Sequence, residues 1–582
     1  MCGIIGYIGR RDAAPLIIEG LKKLEYRGYD SFGVATLGTT GIDLAKHQGR
    51  ISEKAGTAAR LKGKTGIGHT RWATHGIPND CNAHPHTDCS GKIAVVHNGI
   101  IENYTDLKRL LQSRGHTFRS ETDTEVIAHL VEEEYAKKPD ILLAVQAVIP
   151  KLEGSYAILV IAAGEDRIIA ARNASPLVIG IGDGEFFAAS DMTPVIEFTE
   201  RAMYLEDGDT VSLTRKKIEI FHKGIPVTRP VELIDWSLED VRKGGFAHYM
   251  LKEIYEQPQA FYNTIRSVDS TPLPGVVIHV KSVTLVACGS SYHTGLIFKY
   301  LLEELCGIPA RLEFASEFKY FPPPVNGLVI GITQSGETAD TLAAIRHAKT
   351  SGCSTLAITN VLGSSITRMA DITLFMRAGP EISVAATKSF IAQLAILMQM
   401  VNGISERKYD DVLLQAHKAI EEVLLMDLSE AVTVCKKAQS IFYVGRGPFY
   451  PVSLEGALKM KEISYIHAEG YTAGELKHGP FALLSPETPV IALCMPGVTY
   501  SVMISNIKEM KARGAPVIAI GIAGDRDLPD IVDIFIAVPK TPLFIQILTS
   551  IVVEQLLAYH TAVALGRDVD KPRNLAKSVT VE

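Results

Sequence analysis

The sequence predicts a multidomain protein in which an α+β domain is followed by two copies of an α/β doubly wound domain. Three observations carry this. At 582 residues the chain exceeds what one hydrophobic core usually organises. Its first part, roughly 240 residues, holds many short apolar runs punctuated by Gly, Asn and Asp, the mark of an antiparallel-rich sheet system. From Ser282 onward strands are separated by long helical patterns, the signal of a parallel sheet, and the pattern occurs twice.

The N-terminal runs are GIIGYIG, FGVATL, TGIGHT, KIAVVHNG, SYAILVIAA, DRIIAARN and PLVIGIG, with helices such as ETDTEVIAHLVEEEYAKK between them. Around Thr228 to Phe246 the pattern lapses into VTRPVELIDWSLEDVRKGGF, which is polar and contains Pro and Gly, so it predicts a connector. In the first repeat the apolar runs are VTLVACG, GLVIGIT, TLAITN and ITLFMRA; in the second they are SIFYVGRG, PVIALCM, PVIAIGI and DIFIAVP. The segment PVSLEGALKMKEISYIHAEG is expected as one helix between runs of the second copy. The expected divisions are residues 2–240, a linker and connecting helix over 241–281, repeats over 282–408 and 409–565, and a polar tail over 566–582. Such a tail frays unless it is docked.

Hydrophobic residues make up 47% and charged residues 21%, an ordinary globular balance. The formal charge of -6 and the lack of a polybasic block argue against nucleic acid as a partner. The start lacks the order of a signal peptide. The apolar stretch from Leu543 to Leu565 is interrupted by Gln546, Glu554, Gln555 and His560, so it is expected as a buried helix and no membrane is expected. The eight cysteines are scattered, which excludes a disulfide scaffold and suits a reducing cytoplasm. Cys81, His84, His86 and Cys89 crowd one Pro-containing loop, whereas structural zinc sites draw ligand pairs from separate hairpins. The loop is taken as His-rich only, with no metal and no cofactor.

Cys2 directly follows the initiator Met, and loss of Met1 would leave a cysteine with a free α-amine. That amine titrates near the thiol's own range and can act as its base. On this feature alone a buried cysteine near the first strand remains the ordinary reading. Three segments add to it: HTRWATHG carries Arg71, Trp72, Thr74 and His75; VVHNGIIENY carries Asn98 and Gly99; SETDTEVIA carries Asp123 at an expected helix start. Together with MCGIIGYIG and LEYRGYDSFG they resemble the glutaminase domain of the N-terminal-nucleophile amidotransferases. The resemblance implies an αββα domain in which Cys2 attacks the glutamine side-chain amide, and Asn98 with the Gly99 N–H forms the oxyanion hole. It also implies that Arg71, Thr74, His75 and Asp123 bind glutamine and that Trp72 gates ammonia. The charge types agree, since a guanidinium fork suits a carboxylate and a carboxylate suits an ammonium. The plain alternatives are a surface ion pair for Arg71, an N-cap for Asp123 and core packing for Trp72.

In the first repeat, GLVIGITQSGETADTLAAIRHAK predicts a buried strand, a hydroxyl-rich turn and a helix beginning near Glu337. Helix-end N–H groups and hydroxyls there can hold a phosphate. The candidates are Thr333, Gln334, Ser335 and Thr338, with Ser290 and Ser291 in ACGSSYHTG and Val384 in EISVAATKSF. For hydroxyls at helix starts, N-capping is the simple alternative. No Walker sequence or full G-x-G-x-x-G supports nucleotide binding. In the second repeat Glu455, Lys459 and Glu462 share one helical face, a spacing that solvated surfaces also show.

TQSGETADT, ACGSS and EISVAATKSF resemble the sugar isomerase domains. Two such domains after a glutaminase, with LEGALKMKEISYIHAEGYTAGELKHGP and the tail DKPRNLAKSVTVE, resemble the amidotransferases that convert glutamine and fructose 6-phosphate to glucosamine 6-phosphate and glutamate. That likeness implies Glu462 as the base between C1 and C2, His478 for ring opening, Lys459 and Glu455 at the sugar oxygens, and Lys577 as the Schiff-base amine. For His478 and Lys577 alone, a turn histidine and a mobile tail lysine would be the ordinary readings. The likeness also implies a homodimer. One departure is Ala386, where such proteins usually carry serine, so a hydroxyl contact is lost or falls to Thr387 or Ser383. A glutaminase with a different acceptor, a phosphosugar sensor and a deglycating enzyme are the competing readings. The joint presence of Cys2, Asn98, Glu462, His478 and Lys577 speaks against the sensor.

Overall fold

The computed structural model describes residues 2–234, 242–269, 275–278, 280–321 and 327–579. Part of the connector foreseen around Thr228 to Phe246 lies outside them. The chain forms two compact units, one of Met1–Val241 with Ala576–Glu582 and one of Arg242–Leu575.

The first unit is built on two antiparallel sheets of eight and seven strands. Strand Gly3–Ile8 lies inside the first sheet, paired on one side with Thr65–Arg71 and on the other with Phe186–Ala189. Strand Ile93–Ile101 pairs along its length with Gly154–Ala162 in the second. Alternation along IAVVHNGII explains the layering. Ala94 and Val96 enter the core between the sheets, while Ile93, Val95 and Ile101 enter a second core under helices Glu125–Lys137 and Ile141–Val148. A third core lies under helix Ala13–Leu24, against the outer face of the first sheet. The result is the expected αββα stack.

The second unit holds two five-stranded parallel sheets. The first runs Ala310–Phe314, Val283–Ala287, Leu328–Ile332, Ser354–Thr359, Ile372–Phe375, and the second His467–Thr472, Ser440–Gly445, Val490–Leu493, Val517–Ile522, Ile534–Val538. In chain order both are 2-1-3-4-5, so the expected duplication holds down to strand order. Each copy has an edge strand that the sequence reading missed, Ala310–Phe314 and His467–Thr472. The second corrects the single long helix expected over PVSLEGALKMKEISYIHAEG. That helix ends at Ser464 because Tyr465 takes a left-handed conformation, φ 67°, and the polar HAEGYT then pairs with Ser440–Gly445.

Helix Leu543–Ala564 is long and apolar enough to cross a membrane, but 89% of its apolar window is buried inside the protein. After it the chain is held at Asp570. The Asp570 carboxylate accepts hydrogen bonds from Tyr249 N (3.0 Å) and Met250 N (2.9 Å) at the start of helix Tyr249–Tyr255, and Asp570 O accepts from Val384 N (3.0 Å).

Candidate active sites

In the first unit the register that pairs Gly3 with Thr70 carries Cys2 beside the link from Arg71 to Trp72. The Cys2 sulfur accepts the Trp72 N–H at 3.2 Å. The Cys2 carbonyl oxygen accepts from Asn98 Nδ2 (3.0 Å) and Arg27 Nε (3.3 Å). Arg27 is in turn fixed by Asp191 at 2.9 Å. Burial pushes the Cys2 thiol above its ordinary value, opposed by the Trp72 N–H and the Arg71 guanidinium.

Asn98 and Gly99 sit where strand Ile93–Ile101 approaches its end. Gly99 has φ 122°, and a Cβ there would stand 2.0 Å from Ser155 O, so only glycine fits. Asn98 Oδ1 is buried without a hydrogen-bond partner among the described residues. Arg71 is buried, and its guanidinium donates to the carbonyl oxygens of His75, Gly76 (2.9 Å) and Ile77 (3.5 Å), folding the loop after its strand around itself. Trp72 meets Tyr29 edge-on at 5.7 Å. Thr74 is exposed, and His75 packs edge-on against Tyr104.

Asp123 does not cap the following helix. Its carboxylate accepts from Ile101 N at 2.9 Å, and helix Glu125–Lys137 begins after Thr124, whose side chain makes no capping bond. Thr124 Oγ1 instead meets His84 Nε2 and His97 Nδ1, each at 2.8 Å. His69, His84, His86 and His97 form a buried group behind the site, with rings 4.0 Å apart for His69 and His84 and 4.6 Å apart for His84 and His86. Burial lowers all four, His69 to about 3. These are neutral imidazoles used as hydrogen-bonding core residues. The loop quartet considered for zinc therefore does not assemble: His84 and His86 turn inward, and the Cys81 thiol donates to Arg119 O at 2.8 Å.

In the second unit helix Tyr450–Ser464 starts with Pro451 in its first turn, a position proline favours. It points Glu455 and Lys459 inward, each side chain 1% exposed, with Glu462 at 20%. The Glu455 carboxylate accepts from His293 Nδ1 (2.7 Å) and Ser290 Oγ (2.9 Å) and faces Lys459 Nζ at 3.4 Å. Lys459 Nζ also donates to Ser290 Oγ (3.1 Å) and pairs with Glu462. Burial would raise the Glu455 carboxyl, but Lys459, His293 and Ser290 outweigh it and hold it low. Burial would lower Lys459, but Glu455 and Glu462 outweigh it and hold the ammonium above its ordinary value. Both groups are charged.

The hydroxyl turns stand at the ends of neighbouring strands Val283–Ala287 and Leu328–Ile332, where the strand order of a doubly wound sheet reverses and ligands gather. Thr333 and Thr338 bond through their hydroxyls at 2.8 Å, Ser335 Oγ accepts Glu337 N at 3.1 Å, and Gln334 O accepts Asn360 N at 3.0 Å. Ser291 Oγ accepts from Gln393 Nε2 at 3.0 Å. Neither following helix, Gly289–Cys306 or Ala339–Thr350, has a side-chain N-cap, so simple capping does not account for these hydroxyls. At the Ala386 departure, Ser383 Oγ donates to Ala385 O at 3.5 Å, while Thr387 Oγ1 is buried without a partner among the described residues. His478 is exposed on the short turn Glu475–His478, and Lys577 belongs to the stretch that goes with the first unit.

Comparison with known proteins decides the family. The SIS domain family matches residues 277–403 and 435–565, and the Glutamine amidotransferase domain family matches residues 69–197. The chain is 48% identical, over all of both sequences, to glutamine–fructose-6-phosphate aminotransferase (isomerizing) of Thermococcus kodakarensis, and 46% identical, again over all of both, to that of Thermus thermophilus. The chain belongs to the glutamine–fructose-6-phosphate aminotransferase (isomerizing) family. A solved C-terminal domain of glucosamine-fructose-6-phosphate aminotransferase from Francisella tularensis overlays 57% of this chain and 99% of its own, with TM-score 0.52 and 35% identity.

As a member of this aminotransferase family the chain is an enzyme, with a glutamine amidotransferase domain and two SIS domains. Several groups in its sites escaped sequence reasoning. Arg27 stood inside a recognised motif without a role, although it holds the Cys2 carbonyl. His293 and Gln393 come from helices whose contact with the serine turn no spacing rule reveals. Glu554, on helix Leu543–Ala564, is buried against Gly456, where a Cβ would meet its carboxyl carbon at 2.5 Å. Burial, then Glu455, push the Glu554 carboxyl well above the usual carboxylate range.

Proposed function

We propose that this chain performs the reaction its family is named for, with glutamine cleaved at Cys2 and fructose 6-phosphate aminated and isomerised by the sugar-site residues below. With the α-amine of a processed terminus as base, Cys2 attacks the side-chain carbonyl of glutamine. The developing oxyanion accepts from Asn98 Nδ2 and Gly99 N–H, ammonia leaves, and water cleaves the thioester to glutamate. Arg71 holds the α-carboxylate and Asp123 the α-ammonium, with Thr74 and His75 lining the pocket and Trp72 controlling the exit of ammonia.

At the sugar, Ser290, Ser291, Thr333, Gln334, Ser335, Thr338 and Val384 hold the phosphate and hydroxyls, and His478 opens the ring. The Lys577 amine condenses with the C2 carbonyl, expelling water, and ammonia then displaces the lysine to leave a C2 imine. Glu462 takes a proton from C1 and returns it to C2 while the C1 hydroxyl proton passes to the imine nitrogen, giving the 2-amino aldose. Lys459 and Glu455 assist at the sugar oxygens and hydroxyls. The reading includes transfer of the ammonia inside the enzyme, a homodimer, a cytoplasmic location and domain divisions at 2–240, 241–281, 282–408, 409–565 and 566–582.

The observation that supports this most directly is the buried Glu455–Lys459–Glu462 stripe, bonded to the Ser290 turn of the other repeat. Incubation with glutamine and fructose 6-phosphate should give glutamate and glucosamine 6-phosphate in equal amounts; glutamate without hexosamine phosphate refutes the reading. Cys2→Ala should abolish use of glutamine while leaving isomerisation and use of free ammonia.

A further inference from the structure

We propose a structural zinc site in the first unit, made by Cys89, His116, His129 and Glu132. The four residues come from three segments. Cys89 lies in the tight turn between strands His86–Thr87 and Ile93–Ile101, His116 follows helix Tyr104–Ser113, and His129 and Glu132 lie one turn apart on helix Glu125–Lys137. One ligand atom from each falls within 4.8 Å of every other.

Four of the six distances between ligand atoms lie near those of a common centre. The Cys89 sulfur is 3.6 Å from His116 Nδ1 and 3.6 Å from His129 Nδ1. Glu132 Oε2 is 3.1 Å from His116 Nδ1 and 3.3 Å from His129 Nδ1. Zn–S and Zn–N or Zn–O bonds of about 2.3 and 2.1 Å give tetrahedral edges of roughly 3.4–3.6 Å. One thiolate, two imidazoles and one carboxylate are ligands zinc accepts, and four protein ligands make a closed, structural site.

The surroundings point the same way. Metal-bound histidines usually donate their distal nitrogen to a carboxylate. Here His116 Nε2 lies 3.5 Å from Glu133 Oε1 and His129 Nε2 lies 3.5 Å from Glu125 Oε1, ion-pair distances at which neither nitrogen is hydrogen-bonded to the acid. Glu125 is itself fixed by Arg119 N (2.8 Å) and Ser120 N (2.7 Å). Both imidazoles are thus turned with Nδ1 toward one point and Nε2 toward an anchored or adjacent acid.

This replaces the expectation of no metal. The sequence reading looked for ligands within one loop, whereas these are joined across the fold. The metal would tie the turn at Cys89 and the 114–124 loop to helix Glu125–Lys137.

The test uses the full-length protein, purified without chelator and exhaustively desalted. Elemental analysis should find close to one zinc per chain, most of it lost in Cys89→Ser and His116→Ala. Replacement by Co(II) should give the intense visible bands of a tetrahedral centre and the near-ultraviolet charge transfer of a thiolate ligand. A chelator should lower the unfolding temperature of the native chain and not that of the variants. No zinc uptake at added stoichiometric Zn(II) overturns the proposal, as does zinc retained in both variants. Should either variant fail to fold, the cobalt spectrum of the native chain decides, and bands without thiolate charge transfer count against the site.

Discussion

Glu455 and Lys459 stand one helical turn apart with 3.4 Å between carboxylate and ammonium, and both side chains are 1% exposed. At that depth neither charge can recover water if the other is removed. Lys459→Met should destabilise the second unit by about 3–5 kcal/mol, the usual result of stranding a buried charge. Glu455→Gln with Lys459→Met should recover part of the loss, with synthesis absent in both. Chemical denaturation reads this, and an unchanged midpoint in Lys459→Met contradicts it.

Asn98 offers its amide nitrogen to the Cys2 carbonyl and leaves its buried Oδ1 unpaired. On the proposed role of Asn98 as an oxyanion donor, Asn98→Ala should lower kcat for glutamine hydrolysis roughly 10²- to 10³-fold. Synthesis from added ammonia should stay near the native rate. Equal loss of both activities would assign Asn98 to folding.

The buried histidines make the first unit sensitive to acid. Their folded pKa values are depressed, His69 to about 3, while an unfolded histidine titrates near 6.5. The unfolded state therefore binds more protons below that point. Stability should be level above about pH 6.5 and fall as pH drops toward 3, by up to about 1.4 kcal/mol per pH unit for each histidine. His84→Asn should flatten the slope, and pH-dependent unfolding by circular dichroism measures it.

Asp570 joins the tail to the start of helix Tyr249–Tyr255 by accepting two backbone N–H groups. Asp570→Ala leaves both without that acceptor and should cost about 1–3 kcal/mol. Limited proteolysis should then cut the tail faster. An unaltered cleavage rate would show that the Val384 N–H to Asp570 O bond suffices.

Apolar periodicity made most of this fold legible. The buried strands VTLVACG and SIFYVGRG stand where their Val, Leu, Ile and Phe content puts them, and IAVVHNGII alternates between two cores. The edge strands were not legible, because HAEGYT is half-exposed and its pairing depends on a neighbour distant in sequence. Helix Tyr450–Ser464 was seen, but that its charged stripe faces inward followed only from Ser290 and His293 arriving from the other repeat. For Asp123 the place before an apolar run offered a helix cap as the plain alternative to glutamine binding. Its acceptance of the Ile101 N–H follows from strand placement, which local sequence does not encode. For the same reason Cys89 was first grouped with His84 and His86 rather than with His116 and His129.

The bond between Ser290 and Glu455 joins corresponding helices of two copies that share one strand order. Two identical subunits related by a twofold axis would make such a contact twice, so each copy would have to carry both the serine and the glutamate. Fusion into one polypeptide removes that constraint on descent, letting one copy specialise in hydroxyls and the other in charge. The two copies thus keep one strand order while the side chains they bring to this contact differ.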